Sequence, residues 1–278
     1  MHAALWDEVI RRGLAEDIGP QDATTEALIE SDRQGRFALV TRQPVVVCGL
    51  PALDIAFHAL DTAAVIERRV EEGERLAAGQ PLAVVQGSAQ ALLSAERTVL
   101  NLLQHLCGIA TETRALVDAV APLGVLVLDT RKTLPGLRAV EKYAVRIGGG
   151  NNHRFGLFDA LLIKDNHIAA VGSVGEAVRR AKRFAGPMRF VEVECDTLAQ
   201  VDEAVAAGPD AILLDNMGPA MLRQAVAHID HRCFVEASGN IRLETAPEIA
   251  STGVDALSAG YLTHSVQAAD IGADWEVL

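Results

Sequence analysis

From residue 124 onward, short apolar runs alternate with stretches in which apolar residues have helical spacing. The apolar runs are residues 125–129, 160–164, 190–194, 211–215, 233–237 and 256–259, and the helical stretches include 174–184, 198–207, 220–228 and 246–252. Such alternation predicts a parallel sheet, because each helix carries the chain back before the next strand begins. At least six such units favour an α/β barrel over an open sheet. Gly186, Gly208 and Gly253 stand where helices are expected to end.

The first 90 residues follow a different pattern. Helical spacing over 5–16 and 53–59 is combined with β-like runs at 37–47, 64–70 and 81–87. This mixture predicts a small α+β domain with an open sheet. Beyond it the sequence predicts two helices, over 91–108 and 109–120, separated at Gly108.

Polar residues follow every one of the six predicted strands. They are the segments Asp129 to Thr133, Lys164 to His167, Glu192 to Glu194, Asp215 to Asn216, Glu236 to Asn240, and Ser258 to Gly260. In an α/β barrel the ends of all parallel strands meet at one mouth, where the active sites of such barrels lie. Six polar ends therefore predict one shared site.

The charge of the chain is distributed unevenly. A net charge of −12 excludes the global basic surface typical of a nucleic-acid-binding protein. Residues 129–167 nevertheless contain seven Lys or Arg against four Asp or Glu. Arg131 and Arg154 can bind carboxylate or phosphate through paired hydrogen bonds, and Lys132 and Lys164 can act as point charges. A local cationic pocket on an acidic protein indicates a small polyanionic ligand.

The later strand ends add two further kinds of group. Glu194 and Asp215 supply the carboxylates that a magnesium–phosphate site needs. The segment Ser238-Gly239-Asn240, together with Gly260, offers loops whose backbone N–H groups can hold a phosphate. Cationic groups, a divalent metal and a phosphate cradle together predict a phosphorylated substrate.

A series of motifs runs in order through nearly the whole chain. They are Glu16-Asp17-Ile18-Gly19, Asp22-x-Thr24-Thr25, Glu96-Arg97-Thr98 through His105, Gly108 to Thr111, Asp129-Thr130-Arg131-Lys132-Thr133 through Arg138, Lys142 to Val145, Gly148 through Arg154, Leu162 to His167, Glu192-Val193-Glu194, Leu214-Asp215-Asn216, Glu236 to Asn240, and Leu262 to Ser265. In these motifs the chain resembles the quinolinate phosphoribosyltransferase family.

The resemblance implies an N-terminal α/β sandwich domain and a C-terminal incomplete α/β barrel with parallel strands. The expected domains are residues 1–108 and 109–264, and whether the tail, 265–278, packs on the first domain is left open. The implied reaction joins quinolinate to phosphoribosyl pyrophosphate with Mg²⁺ and yields nicotinate mononucleotide, pyrophosphate and CO₂, a step of NAD biosynthesis.

The resemblance also implies a role for each matching residue. Arg131, His153 and Arg154 would hold the quinolinate carboxylates, with Lys132 at the junction of the two substrates. The groups expected to face the ribose, the pyrophosphate and the metal are Lys164, Glu194 and Asp215, the last two as metal ligands. The 5′-phosphate would lie on Ser238, Gly239, Asn240 and Gly260.

Members of the family are homodimers with shared active sites, so the resemblance places Arg97 in the site of the neighbouring subunit. In the alternative interpretation, Arg97 simply caps a helix or pairs with a nearby Glu. Two other functions remain open: a related phosphoribosyltransferase for another anionic heterocycle, such as nicotinate, and a non-catalytic sensor of phosphorylated metabolites.

Some side chains have a structural interpretation beside the functional one. Glu192 could be the partner of a lysine. His105 and His167 are as consistent with a structural role as with a functional one. Arg138 and Lys142, one helical turn apart, could form either a solvated face or a second positive field near the site.

The cysteines and the N-terminus predict the compartment. Cys48, Cys107, Cys195 and Cys233 have no Cys-x-x-Cys spacing, so they indicate reduced thiols, with no zinc ribbon or redox dithiol. No signal peptide is recognised at the N-terminus, and the longest apolar stretch is too short to span a bilayer. We therefore expect a cytoplasmic protein with no membrane partner.

Overall fold

A computed structural model describes residues 3–276 of the chain. In chain order its helices and strands are α1 (Ala3–Ile18), α2 (Ala23–Leu28), β1 (Gln34–Thr41), β2 (Val45–Val46), α3 (Pro51–Leu60), β3 (Val65–Arg68), β4 (Arg75–Leu76), β5 (Pro81–Ser88), α4 (Ala89–Val120), β6 (Leu126–Leu128), α5 (Arg138–Ile147), β7 (Leu161–Ile163), α6 (Asp165–Val171), α7 (Val174–Ala185), β8 (Val191–Cys195), α8 (Leu198–Ala207), β9 (Ala211–Asp215), α9 (Pro219–Ile229), β10 (Phe234–Ser238), α10 (Ala246–Ala250), β11 (Ala256–Ser258), α11 (Tyr261–His264) and β12 (Ile271–Glu276). Among these residues no helix is both long and apolar enough to cross a membrane.

The chain forms two compact units. The first contains the chain through Arg114, residues 133–149, and the chain from Leu262 onward; the second contains Ala115–Lys132 and Gly150–Tyr261. The sequence-based division treats residues 109–264 as one continuous domain. The compact units differ from it because the segment after β6 joins the first unit before the chain returns to the second.

The first unit contains a four-stranded antiparallel sheet in the order β12-β1-β5-β3. Its central strand β1 carries Phe37, which is fully buried and lies 5.8 Å from the Phe57 ring and 5.2 Å from the Trp275 ring. Trp275 belongs to the C-terminal strand, which pairs with β1 from Arg36↔Glu276 to Thr41↔Ile271. The end of the chain thus completes the sheet of the N-terminal segment.

Helix α4 corrects one expectation of the sequence. The break predicted at Gly108 is absent, and residues 89–120 form one continuous helix. Gly108 serves close packing instead, because a Cβ there would overlap the carbonyl oxygen of Gln267. A helical glycine costs only about 1 kcal/mol relative to alanine, so a packing requirement can keep one without ending the helix.

The second unit is built on six parallel strands in the order β6-β11-β10-β9-β8-β7. The first strand along the chain, β6, pairs with the last, β11, so the sheet curls round and stays open only where β6 and β7 form its two ends. The buried aliphatic residues Val193, Ile212 and Val235 alternate with cavity-lining residues of the same strands, so they lie on the outer face of the sheet. This architecture confirms the predicted incomplete α/β barrel.

The helices between these strands begin and end at residues that the sequence marks. Helix α8 begins after Thr197, whose hydroxyl accepts the backbone N–H of Gln200, and Gln200 completes a capping box. It ends at Gly208 in the left-handed conformation, with φ of 73°. Helix α7 likewise begins after Ser173 and ends at Gly186.

Candidate active site

The carboxyl ends of the barrel strands surround a cavity of about 360 Å³. Its lining is Thr130, Arg131, Lys132, His153, Arg154, Leu162, Lys164, Glu194, Leu213, Asp215, Asn216, Glu236, Ser238, Gly239, Asn240 and Ser258. All of these residues belong to the second compact unit. The polar strand ends singled out in the sequence therefore converge on one concave site.

Asp129, directly after β6, organises one wall of the cavity. This buried carboxylate accepts hydrogen bonds from Asn152 Nδ2 at 2.5 Å and from the backbone N–H of His153 at 2.9 Å. An isolated bridge between Leu128 and Asn151 extends the same contact. Since a buried carboxylate must be paired, Asp129 holds residues 151–153 against the end of β6.

Arginine and lysine side chains form the cationic part of the lining. Burial and the neighbouring Arg131 guanidinium lower the pKa of Arg154. One nitrogen of Arg154, Nη1, donates to the carbonyl oxygen of Ala160 at 3.2 Å. Its buried Nε makes no hydrogen bond with any residue that the structure describes. Two adjacent guanidinium groups with an unused donor are a fitting receptor for an anionic carboxylate or phosphate.

Carboxylates from β8 and β9 face this cationic group. Lys164 Nζ lies 2.7 Å from Glu194 Oε2. Carboxylate oxygens of Glu194, Asp196 and Asp215 all lie within 4.8 Å of one another. Burial, followed by the charges of Glu194 and Asp196, raises the pKa of Asp215, and Lys164 opposes the rise. Clustered oxygen ligands whose mutual repulsion a divalent cation would relieve fit Mg²⁺.

A turn of unusual backbone conformation follows β10. Gly239 and Asn240 have φ of 93° and 54°, and Asn216, at the end of β9, has φ of 53°. A Cβ at Gly239 would overlap Asn216 Oδ1, so only glycine fits there. The backbone N–H of Asn216 donates a hydrogen bond to the carbonyl oxygen of Ser238 at 2.9 Å. Successive residues in such conformations can turn backbone N–H groups toward one anion.

Asp196 escaped the sequence predictions, and Asn216 and Glu236 belong to predicted polar strand ends but were given no role. Asp196 adds a carboxylate to the predicted pair Glu194 and Asp215. Asn216 supports the turn after β10, and Glu236 lines the cavity beside His153. The sequence could have indicated these residues only by their position directly after, or within, the predicted strands. The pattern did not show which residues of non-neighbouring strands meet inside the barrel.

Most of the residues predicted for the site lie together. Arg131, Lys132, His153, Arg154, Lys164, Glu194, Asp215, Ser238, Gly239 and Asn240 all line the cavity. Gly260 follows β11 but is not among the lining residues. Arg97 is an exposed residue of α4 in the first unit, outside this set.

The side chains with two interpretations have defined partners. Glu192 Oε2 lies 3.0 Å from His153 Nε2, so the contact that the structure gives for this carboxylate is with a histidine. His105 Nε2 lies 2.8 Å from the buried Glu141, and His167 Nδ1 accepts the backbone N–H of Lys164 at 2.9 Å.

The two basic residues of α5, Arg138 and Lys142, do not form a solvated helix face. Lys142 is only 2% exposed, and Arg138 Nε donates to the Thr133 hydroxyl at 2.9 Å. Both residues belong to the first compact unit, and neither is among the residues that line the cavity.

Comparisons with known proteins agree with this architecture. Residues 22–107 match the N-terminal domain model of quinolinate phosphoribosyl transferase, and residues 109–274 match the C-terminal domain model. The nicotinate-nucleotide pyrophosphorylase [carboxylating] of Mycobacterium leprae is 49% identical over 276 residues, covering 96% of each chain. A probable enzyme of the same name from Bacillus subtilis is 44% identical, over 93% of this chain and 89% of its own.

A solved structure extends the similarity to three dimensions. The crystal structure of NadC from Streptococcus pyogenes superposes with a TM-score of 0.95 at 40% identity, covering 100% of this chain and 99% of that one. The two domain models match consecutive segments in the expected order, and together they cover most of the chain. The chain belongs to the quinolinate phosphoribosyltransferase family.

Proposed function

We propose that this protein transfers phosphoribose from phosphoribosyl pyrophosphate to quinolinate and releases pyrophosphate and CO₂, forming nicotinate mononucleotide. The observation that carries the proposal is the single cavity that combines guanidinium groups, a carboxylate cluster and an anion-binding turn. A substrate pair with a dicarboxylate, a pyrophosphate and a 5′-phosphate needs all three. The family to which the chain belongs supports the same reaction.

Quinolinate would occupy the cationic side of the cavity. Arg131 and Arg154 would bind its carboxylates, with His153 beside them and Lys132 at the junction with the second substrate. Bringing a dianion out of water is costly, and charged donors offset that cost. Burial, followed by the Arg131 guanidinium, lowers the pKa of Arg154, and a carboxylate bound beside it would oppose that change.

Phosphoribosyl pyrophosphate would occupy the opposite side. The turn of Ser238, Gly239 and Asn240 is proposed to hold the 5′-phosphate, and Gly260 to extend that loop system. Lys164 would face the ribose and the pyrophosphate. Glu194 and Asp215 would hold Mg²⁺, which neutralises charge on a leaving pyrophosphate when bound.

The chain's own groups suit the expected chemistry. Loss of pyrophosphate leaves positive charge on the anomeric carbon, which nearby carboxylates stabilise in a partly buried site. The quinolinate nitrogen attacks with its own lone pair, so no general base is needed for that step. The ring nitrogen then carries positive charge, which stabilises the carbanion formed at the 2-position as CO₂ departs.

We further propose that the active enzyme is a homodimer in which Arg97 reaches the neighbour's site. In the part of the chain that the structure describes, Arg97 is exposed and its side chain makes no hydrogen bond or ion pair. Neither the cap nor the pairing with a Glu is therefore formed. A cytoplasmic location is supported by four cysteines that form no disulfide.

The test is to incubate the purified protein with quinolinate, phosphoribosyl pyrophosphate and Mg²⁺, and to quantify nicotinate mononucleotide and CO₂ together. Equal amounts of both products are expected. A second incubation contains nicotinate in place of quinolinate. Formation of product there, without CO₂, would favour a related transferase. Binding of quinolinate without any turnover would favour a sensor and would contradict the proposal.

A further inference from the structure

A strap formed by residues 151–160 connects the two ends of the curved sheet in the second unit. At its start, the Asn151 backbone N–H donates to the carbonyl of Val127 at 2.7 Å, and the Asn151 carbonyl accepts the N–H of Asp129 at 3.1 Å. At its end, Ala160 leads directly into β7. Since β6 and β7 are the two outermost strands, the strap crosses the opening of the barrel.

Arg154 enters the cavity from this strap. Its Nη1 donates to the carbonyl oxygen of Ala160 at 3.2 Å, and its buried Nε makes no hydrogen bond with any residue that the structure describes. Asp159 accepts the backbone N–H groups of Phe155 at 2.5 Å and Gly156 at 2.8 Å, which closes the turn behind Arg154. The direction of the guanidinium group therefore depends on where the backbone of the strap is held.

Asp129 holds the strap immediately before Arg154. Its Oδ2 accepts a hydrogen bond from Asn152 Nδ2 at 2.5 Å, and its Oδ1 accepts the backbone N–H of His153 at 2.9 Å. Asp129 is 0% exposed, so water cannot take the place of either donor. Two consecutive residues of the strap are thus bound to one buried carboxylate, and this fixes where the next residue begins.

The ring of His153 adds a second contact, on the side of β8. Nε2 of His153 lies 3.0 Å from Glu192 Oε2. A side chain can change its rotamer without moving the main chain, so this contact mainly orients the ring. The hydrogen bond to Asp129 acts on the backbone itself, and the position of Arg154 follows from it more directly.

We propose that Asp129 is a positioning residue that holds the strap and thereby sets the direction in which Arg154 enters the cavity. Asp129 is not among the residues that line the cavity, so its effect on a substrate is indirect. This inference rests on the proposed function, in which Arg154 binds a quinolinate carboxylate. Small displacements of a binding group are costly, so the loss should fall on quinolinate.

The contact between Asp129 and Asn152 allows an exchange of the two side chains. Asn152→Asp places a second carboxylate against Asp129, and because like charges repel, the quinolinate KM should rise about tenfold or more. Adding Asp129→Asn to this variant restores a donor and an acceptor at the contact and keeps an oxygen for the His153 N–H. The quinolinate KM should then return to within about threefold of wild type. The phosphoribosyl pyrophosphate KM should change less than threefold in both variants.

Asn151→Asp is the matched control, because it adds the same charge one residue earlier on an exposed side chain. It should leave both KM values within about threefold of wild type. An equal rise in Asn151→Asp and Asn152→Asp, or a double variant that restores nothing, would overturn the role of Asp129. If Asn152→Asp does not fold, Asp129→Ala removes both acceptor oxygens without adding a charge and should raise the quinolinate KM selectively.

Hydrogen exchange tests the hold on the strap without any substrate. The backbone N–H of His153 is bonded to a buried carboxylate, so its exchange, followed by NMR, should be about tenfold faster in Asn152→Asp and near the wild-type rate in the double variant. An unchanged rate in Asn152→Asp would refute the proposal. The expected exchange pattern in a protein that makes no nicotinate mononucleotide would support the hold of Asp129 on the strap and overturn the proposed function instead.

Discussion

Lys164 Nζ lies 2.7 Å from Glu194 Oε2, and the two side chains project from the ends of neighbouring parallel strands. This ion pair lies between the cationic and the acidic parts of the cavity. It leaves Asp215 with two acidic neighbours, Glu194 and Asp196, and only partial relief from Lys164. Asp215 is thus the carboxylate that gains most from a bound cation.

Asp215→Asn should lower Mg²⁺-dependent turnover about 100-fold, because it removes a charged oxygen ligand from the proposed metal site. The half-saturating Mg²⁺ concentration should rise as well. Steady-state rates over a Mg²⁺ series measure both effects. Asp202→Asn, a change of the same kind at an exposed residue of α8, should leave both values unchanged. Undiminished turnover in Asp215→Asn would exclude Asp215 as a ligand.

The same substitution should stabilise the metal-free protein at neutral pH. The pKa of Asp215 is raised in the folded state, chiefly by burial, so its ionised form destabilises the fold above that pKa. A neutral Asn removes this destabilisation, and the gain should shrink as pH falls and Asp215 becomes protonated. Urea unfolding of both proteins in EDTA, at pH 7.5 and at pH 4, measures the difference. A gain that grows toward low pH would contradict this account.

Much of this site follows from local patterns in the sequence. Strand β9 has the predicted limits, 211–215, because an apolar run between two helical stretches leaves little freedom in its placement. Its last residue, Asp215, then has to lie at the mouth, as do Lys164 and Ser238. Because parallel strands bring their carboxyl ends to the same edge of the sheet, the site can be located from the strand ends alone, before any side-chain contact is known.

Other features depend on packing between distant segments, which local patterns do not encode. Glu192 and Glu236 come from β8 and β10, which are separated by β9, and meet at His153 only through the curvature of the barrel. Gly108 has the sequence pattern of a helix break, but a glycine is needed there because the Gln267 carbonyl oxygen packs against it. Gln267 lies far along the chain, so a local pattern does not show this contact.

Arg131→Ala should raise the quinolinate KM about 10- to 100-fold and affect the phosphoribosyl pyrophosphate KM much less, since charge-assisted paired hydrogen bonds are lost on one substrate only. Initial rates with each substrate varied in turn provide the comparison. Arg180→Ala, on the exposed surface of α7, is the matched control. An equal rise in both constants would contradict the division of the cavity into two sides.

Gly239→Ala should weaken binding of phosphoribosyl pyrophosphate and destabilise the fold by about 1–3 kcal/mol, because a side chain at positive φ is strained. The added Cβ would also displace Asn216, whose Oδ1 occupies the same space. Gly218→Ala is the control, since Gly218 has φ of −73° and a Cβ added there would meet no other atom within 4 Å. Thermal unfolding and the substrate KM should change in the first variant alone.

The shared active site predicts complementation between two variants that are impaired at quinolinate concentrations near the wild-type KM. Arg97→Ala lacks the residue donated to the neighbour, and Arg131→Ala lacks a residue of its own cavity. In a mixed dimer one site combines an intact cavity with an intact Arg97, and the other site lacks both. Random reassociation should therefore restore about a quarter of wild-type activity, because half of the dimers are mixed and each has one working site.

The complementation is measured by unfolding the two variants together, refolding them and assaying the mixture. The mixed dimer, isolated through two different affinity tags, should have about half of wild-type activity. The control is the same procedure with Arg131→Ala and Arg154→Ala, which both damage the cavity of their own subunit and cannot complement each other. Activity that appears only in the Arg97→Ala mixture locates Arg97 in the partner's site. Verified mixed dimers without activity would show that each chain builds its site alone, and the exposed Arg97 would then need another explanation.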